Sequence, residues 1–294
     1  MSALPRIVAI ITPILLIVLI GYLYARRHKP DLGAMNTLTV DLLSPMLVFS
    51  SLTGKDFDLI ANRWLLAGGL LVVLGSGVIG AVVAKLIRED RRSFVPPMMF
   101  TNTGNMGLPL ALLAFGPAHL PASVALFVLT SILHFTLGAR LVNPTASLGA
   151  VLRSPMVLAA IAGIACNLAS LHPPPMLALP LKLLGDAAIP LMLFSLGARM
   201  TDVSLRGWRT GLVGAVICPL AGLAIAALVG PWLPIDAISR GQLWLFASLP
   251  PAVLNFLIAE RHGQEPDKVA SIVLLGNLAS LGFVPVGLML ALEQ

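Results

Sequence analysis

Two stretches of this sequence put polar and helix-breaking residues where an apolar helix would otherwise run. The first is Thr101-Asn102-Thr103-Gly104-Asn105-Met106-Gly107-Leu108-Pro109, with two asparagines, two glycines and a proline. The second is Ser248-Leu249-Pro250-Pro251-Ala252-Val253-Leu254-Asn255. Proline removes a backbone donor and clashes with the preceding turn, and glycine weakens a helix. A broken helix offers free amides and the positive end of its dipole, which favour an anion. Asparagine side chains add neutral donors and acceptors without burying a charge. The pattern points to an anion site, in the first place for a carboxylate. Its candidate substrate-binding residues are Asn102, Thr103, Gly104, Asn105, Pro109, Pro250, Pro251 and Asn255. The bland alternative is that Asn102, Asn105 and Asn255 only join helices, as amides inside membranes do.

Other polar groups within apolar runs are few. Thr130 and His134 stand one helical turn apart on one face, and could border the same substrate or be packed polar residues. Asn277 is similar. Asp41 and Asp186 are candidates for proton coupling, since carboxyls at membrane depth often belong to proton relays. The structural alternative is that each caps or braces a helix near Pro45 or Pro190.

Several chemistries are excluded or disfavoured. No His-Glu-x-x-His pattern supplies a zinc protease site, and no Gly-x-x-x-x-Gly-Lys-Ser/Thr loop supplies ATP binding. An intramembrane aspartyl protease would need Asp41 and Asp186 brought together, and neither has a Gly-rich catalytic signature beside it. Cys166 and Cys218 lie in apolar segments and read as small buried hydrophobes. Neither a metal nor a cofactor is expected, and no nucleic-acid partner. A channel or a ligand sensor on the same fold is the alternative to a carrier; channel currents would far exceed carrier turnover, and a sensor would bind without transport.

The elements that must position these residues follow from composition. The 294 residues are 57% hydrophobic and only 11% charged, with a mean hydropathy of +0.94. A soluble domain carries roughly 25% charged residues, so this chain lacks the ionised groups to cover a water-facing surface. It reads as an all-α membrane protein. Ten candidate spans emerge from hydropathy and breakers: Pro5–Ala25, Leu32–Thr53, Trp64–Ile87, Phe94–Phe115, Pro121–Val142, Val151–Leu171, Met176–Gly197, Gly207–Val229, Ser239–Glu260 and Lys268–Leu292. The first lacks a basic start and a small-residue cleavage site, and is expected to be a retained helix.

Alternate loops differ in charge. One side collects Arg26, Arg27 and Lys29; Lys85, Arg88, Arg91 and Arg92; Arg140 and Arg153; Arg199, Arg206 and Arg209; and Arg261 and Lys268, which is 14 of the 19 basic residues. The other side has Arg6, Lys55, Arg63, Lys182 and Arg240. The positive-inside rule puts the richer side in the cytoplasm and both termini on the outer, periplasmic side. This bias also accounts for the net charge of +6 without a polyanionic partner.

The chain also repeats itself. Asp41, Pro45, Phe49 and Ser50 in span two recur as Asp186, Pro190, Phe194 and Ser195 in span seven, at a constant offset of 145 residues. Five spans per half is an odd number, so the halves 1–145 and 146–294 would insert with opposite topology. Inverted repeats mark secondary transporters whose substrate sits near the midplane, between the repeats.

At these residues the sequence resembles the auxin efflux carrier family, in a bacterial form. The resemblance covers nearly the whole chain. It is carried by residues 102–109 in span four, by Phe194-Ser195-Leu196-Gly197 after Pro190, and by Leu249-Pro250 followed by Ala259. It implies ten helices in two inverted five-helix repeats, with helices four and nine crossing at prolines, here Pro109 and Pro250. It implies a scaffold of spans one, two, six and seven, and a transport domain of spans three to five and eight to ten that moves like an elevator past it. The resemblance places the substrate-contacting asparagine at Asn102, and favours a homodimer through the scaffold in the bacterial inner membrane. It implies transport of small organic anions and leaves malate, malonate and indole-type acids all open. Proton, sodium or voltage drive, and import or export, stay open as well. Three departures stand out. Asn255 occupies the position of a second proline in plant members, so the span-nine crossover rests on Pro250 and Pro251. Residues 64–84 lack the ionisable pair of the plant proteins. The centre, from Arg140 to Arg153, is a short linker without their long loop.

Overall fold

A computed structural model describes residues 3–54, 57–146, 149, 153–201 and 206–293. Over those residues the backbone is helical between short turns, and one isolated antiparallel bridge is the only extended pairing. The helices are α1 (Ala3–His28), α2 (Leu32–Leu52), α3 (Arg63–Ile87), α4 (Arg91–Met99), α5 (Thr103–Phe115), α6 (Pro117–Val142), α7 (Pro155–Leu168), α8 (Pro175–Arg199), α9 (Trp208–Val229), α10 (Ala237–Ala247), α11 (Leu254–Arg261) and α12 (Pro266–Leu292). Asp31, Asp90, Ser154 and Asp236 start four of them by accepting first-turn amides, the usual N-cap role.

Among the described residues seven helices are long and apolar enough to cross a membrane: α1, α2, α3, α6, α8, α9 and α12. They coincide with expected spans one, two, three, five, seven, eight and ten. The other three expected spans take a different form. Span four is divided into α4 and α5, and span nine into α10 and α11. Span six appears as the 14-residue α7; its expected start at Val151 lies outside the described residues, as does Lys55. Faces turned away from the bundle are apolar, for example Leu16 and Ile20 on α1, Val78 and Leu86 on α3, and Leu177 and Leu183 on α8, all exposed. Such faces belong against lipid, and the chain is a multi-pass membrane protein.

Packing gathers the helices into neighbourhoods. α1 runs along α8, and both α7 and α8 pack on the second half of α2. α3 packs on α4, α9 and α10, while α12 packs on α9 and α10. α6 touches α2, α3 and α5. The α1–α8 contact is backbone to backbone. A Cβ on Gly197 would overlap the Val18 carbonyl, and one on Gly21 would overlap the carbonyl of Phe194. Without a hydrophobic force between helices in lipid, such close approach is what holds them. It also explains the glycine that ends Phe194-Ser195-Leu196-Gly197.

Two π turns each stand just ahead of a proline: Thr39–Leu43 before Pro45 in α2, and Thr103–Gly107 before Pro109 in α5. The amides of Ser44 and Leu108 reach back five residues, to the carbonyls of Thr39 and Thr103. A proline has no N–H for the residue four before it, and a wide turn accommodates that loss. Pro109 therefore belongs to a continuous helical segment.

At the basic-rich end a polar clamp joins the α3–α4 turn, the start of α9 and the α11–α12 turn. Lys268 Nζ lies 2.8 Å from Glu89 Oε2 and 2.7 Å from Glu265 Oε1. Thr210 donates to Glu89 at 2.6 Å, Ser93 donates to Glu265 at 2.6 Å, and Gln264 donates to Asp90 at 2.9 Å. Partial burial pushes the Glu89 carboxyl up, but the Lys268 and Thr210 hydrogen bonds and the Lys268 charge outweigh it and hold it below the usual carboxylate range.

Two outcomes follow for stability. Gly197→Leu should cost about 1–3 kcal/mol through overpacking and lower the melting temperature in detergent. Gly282→Ala, at a position with nothing within 4 Å, should leave it unchanged. Glu89→Gln should cost ~1 kcal/mol at pH 7. Because the folded-state value of Glu89 is depressed, its contribution is present above the ordinary carboxylate range and fades as pH falls through the folded value. Wild type and Glu89→Gln should therefore converge in thermal stability under acid conditions; a gap that persists there would remove the clamp from the account.

Candidate functional site

Between α4 and α5 the chain is extended at Phe100, and it meets the gap between α10 and α11. The two gaps pair as strands for two residues, with Thr101 opposite Pro251. Asn102 N–H donates to the Pro250 carbonyl at 2.7 Å, and Ala252 N–H donates to the Phe100 carbonyl at 2.9 Å. Side-chain amides brace this crossing. Asn255 Nδ2 donates to the carbonyls of Phe100 at 2.8 Å and Ala252 at 2.9 Å. Asn277 Nδ2 donates to Val273 at 2.8 Å and Pro251 at 3.3 Å, and its Oδ1 accepts from Asn102 Nδ2 at 3.4 Å. Gly276 makes room for Pro251, whose Cδ would lie 2.5 Å from any Cβ there.

A cavity of about 230 Å³ opens beside the crossing, toward the basic-rich end of the bundle. Residues 100–105 form one wall. Thr130 and His134 come from α6, Asn36, Thr39 and Ser44 from α2, Met192, Ser195 and Arg199 from α8, and Val253, Leu254 and Leu257 from the α11 side. The Asn102 carbonyl accepts from Met106 and Gly107, whereas the amides of Gly104 and Asn105 have no hydrogen-bond partner among the described residues, as expected in a first helical turn. Thr103 and Thr130 hydroxyls are 3.0 Å apart, and Thr130 also donates to the carbonyls of α6. The His134 ring stacks on Phe100 at 4.2 Å between centroids and 7° between planes. Arg199 brings a half-buried guanidinium to the cavity, with no ion pair to it among the described residues. Five buried side-chain polar atoms lack a partner among the described residues; His134 Nε2 and Ser195 Oγ belong to residues that line this cavity, and Asn255 Oδ1 lies in the crossing behind it. Such orphans are uncommon in native interiors, which makes this cavity the candidate site.

A second, larger cavity of about 780 Å³ lies at the opposite end, lined among others by Ser50, Thr53, His172, Lys182, Asp186 and Pro190. Lys182 Nζ is paired with Asp186 Oδ2 at 2.7 Å. No lining residue is shared between the two cavities.

The structure brings Asn102, Thr103, Gly104, Asn105, Thr130 and His134 together on one cavity, and leaves the remaining candidates elsewhere. Pro250 and Pro251 stand in the crossing itself, behind the cavity wall. Asn255 spends its amide on backbone carbonyls of the crossing. The crossing does not run through Pro109, which sits seven residues past Asn102 and accompanies a π turn. Asp41 is exposed outside the cavity, and Asp186 is ion-paired at the other end. Sequence reasoning missed Arg199, Ser195, Asn36, Thr39 and Ser44. Arg199 counts as a loop cation by composition, but its spacing from Met192 and Ser195 puts all three on one helix face.

The family model described as membrane transport protein matches residues 6–151 and 140–288. A protein of Rhizobium meliloti named "Putative malonate transporter" is 26% identical over 313 residues, covering 95% of this chain and 94% of that protein. An "Uncharacterized transporter" of Methanothermobacter thermautotrophicus is 23% identical over 291 residues, covering 92% of this chain and 94% of its own length.

The crossing's dependence on side-chain amides is open to measurement. Asn255→Ala removes a second donor from two carbonyls that keep their backbone partners, and should cost about 0.5–1.5 kcal/mol and speed hydrogen exchange at the Asn102 and Ala252 amides. Unchanged protection at both would mean that the bridge holds without its brace.

Proposed function

The chain belongs to the membrane transport protein family, the family of the auxin efflux carriers, and from that premise we propose that it is a secondary carrier of small organic anions, carboxylates above all. The observation that carries this reading is Arg199. A guanidinium free of carboxylate partners among the described residues faces the same small cavity as the broken helix and its asparagine. Arginine binds carboxylates through paired N–H groups, while the opening of α5 supplies amides and a positive dipole end. Asn102, Thr103, Gly104, Asn105, Thr130 and His134 are the proposed substrate contacts with it. The similarity to a protein named for malonate transport agrees with a carboxylate substrate.

The proposed mechanism is alternating access between two inverted repeats, residues 1–145 and 146–294, with ten spans in all. Support comes from the way repeat-related positions divide between the cavities. At the offset of 145 residues, Ser195 lines the cavity at the crossing and Ser50 the far one; Asn36 and Ser44 line the near one, and Leu181 and Ile189 the far one. That exchange is what inverted halves would produce. The cavity at the crossing also lies between α2, α7 and α8 on one side and α5, α6 and α11 on the other. It thus falls on the boundary proposed between the scaffold (α1, α2, α7, α8) and an elevator-like transport domain made of the remaining helices. By the positive-inside rule this cavity faces the cytoplasm and both termini lie outside, in an inner-membrane protein. A homodimer through the scaffold completes the proposal. Energy comes from gradients: an anion leaving a negative interior gains about 2.3 kcal/mol per charge per 100 mV.

Charge movement on a solid-supported membrane tests this directly, with reconstituted protein and a panel of mono- and dicarboxylates. A saturable current should appear for at least one class. Arg199→Gln should raise the half-saturating concentration about 10- to 100-fold, the loss of a charged hydrogen bond, and Asn102→Ala should weaken or abolish the current. Absence of both current and binding for every acid in the wild type would overturn the carboxylate reading.

A further inference from the structure

His134 is held as a titratable group is held when its charge state matters. Its ring is stacked on Phe100 in the crossing, and Gly138, one turn on, has no room for a side chain between Phe100 and His134. His134 is 4% exposed, and its Nε2 has no hydrogen-bond partner among the described residues. Beside it stands Asn255, 2% exposed, whose Nδ2 is committed to the crossing and whose Oδ1 also lacks a partner. His134 lines the cavity, and Asn255 adjoins its ring from the crossing behind.

The surrounding charges decide what can partner these two bare atoms. Among the described residues, Arg199 is the one other charged group that lines the cavity. On the elements around it, Asp41 of α2, Arg91 and Arg92 of α4, Arg140 of α6, Lys182 and Asp186 of α8, and Glu260 and Arg261 of α11 all lie outside the lining. An imidazolium would therefore face a guanidinium and no anion in the empty cavity, and burying a charge without a counter-charge costs several kcal/mol. A carboxylate entering the cavity supplies that counter-charge.

We propose that His134 is the proton-binding site of a coupled carrier, so that one proton crosses with each carboxylate substrate. This rests on the carrier reading above. A proton from water at the open mouth adds to the bare ring nitrogen as the anion enters. Both ring N–H groups then donate, one to the substrate carboxylate and one to Asn255 Oδ1. On release at the other side the anion leaves, the N–H bond breaks, and the proton returns to water. Anion and proton affinities raise each other, as linkage requires. A monoanion would then cross without net charge, and a dianion with one negative charge.

The test uses the full chain in liposomes loaded with a pH-sensitive dye near pH 8, with malonate and malate, which stay ionised and do not cross lipid unaided, as probes. Wild type should acidify the lumen on substrate entry with one proton per anion. His134→Gln, which keeps a donor of similar size, should lower the number of protons carried per anion from about one toward zero, read as a ratio so that any change in anion flux cancels. Anion flux without proton flux in the wild type, or an undiminished proton-to-anion ratio in His134→Gln, overturns the inference while leaving the carrier reading intact. If neither these probes nor any other acid is bound or moved by the wild type, the carrier reading falls and takes this one with it. Should the variant not fold, calorimetry on the wild type in buffers of differing ionisation enthalpy still decides. Uptake of about one proton per bound malonate near pH 8 supports the assignment, and no uptake ends it.

Discussion

In hydrocarbon a carbonyl or amide without a partner costs several kcal/mol, and water is not there to supply one. Every break in a spanning helix must solve that problem before it can do anything else. This chain solves it by laying two breaks across each other so that each completes the other's hydrogen bonds. Asn102 N–H finds the Pro250 carbonyl and Ala252 N–H finds Phe100. Asn277 covers the Pro251 carbonyl, and Asn255 adds a second donor to Phe100. The cavity wall, the opening of α5 and the stacked His134 ring all hang from that two-residue pairing.

The electrostatics of the cavity follow from the same constraint. Carboxylate side chains are absent from its described lining, and amides and hydroxyls supply most of its polarity. Neutral groups of this kind can be buried at the cost of their hydrogen bonds alone, whereas a charge without a partner is far more expensive. Arg199 is the exception, and its place at the last turn of α8 moderates the cost, because a helix C-terminus favours a cation. Arg199 and the neutral donors thus share one cavity with no carboxylate in its described lining. The exposed Lys182–Asp186 pair at the opposite end differs, since its two charges cancel.

Much of this was legible in the sequence, and the rest was hidden for definite reasons. Long apolar runs identify seven single helices because composition alone decides whether a segment can face lipid. The clusters at residues 101–109 and 248–255 mark the broken segments because glycine and proline punctuate helices whatever the tertiary context. The same signal misplaces the crossing by several residues. Pro109 disturbs a helix locally, through a π turn, while the true gap at Phe100–Asn102 contains no proline or glycine and is defined by its partner across the bundle. Arg199 was hidden because its position at a helix end assigns it to the solvent, and only the phase it shares with Met192 and Ser195 turns it inward. Asp41 and Asp186 drew attention as charges within apolar runs, yet one lies on the surface and the other next to a lysine four residues away. Sequence reveals that a charge is present in a span; which way it faces is settled by packing.

The two-residue pairing at the crossing is made by main-chain atoms on both sides. Its bonds do not depend on which side chains flank them, beyond the need for Gly276 to stay small and for amides at positions 255 and 277 to donate to its carbonyls. Residues that face the cavity from α2, α6 and α8 can therefore change without loosening the frame that presents the helix opening. A lineage built on this crossing can exchange one transported molecule for another by a few cavity substitutions, each small in its effect on folding, while the helix opening stays in place. Divergence of cargo is cheap in such a protein, and divergence of the crossing is not.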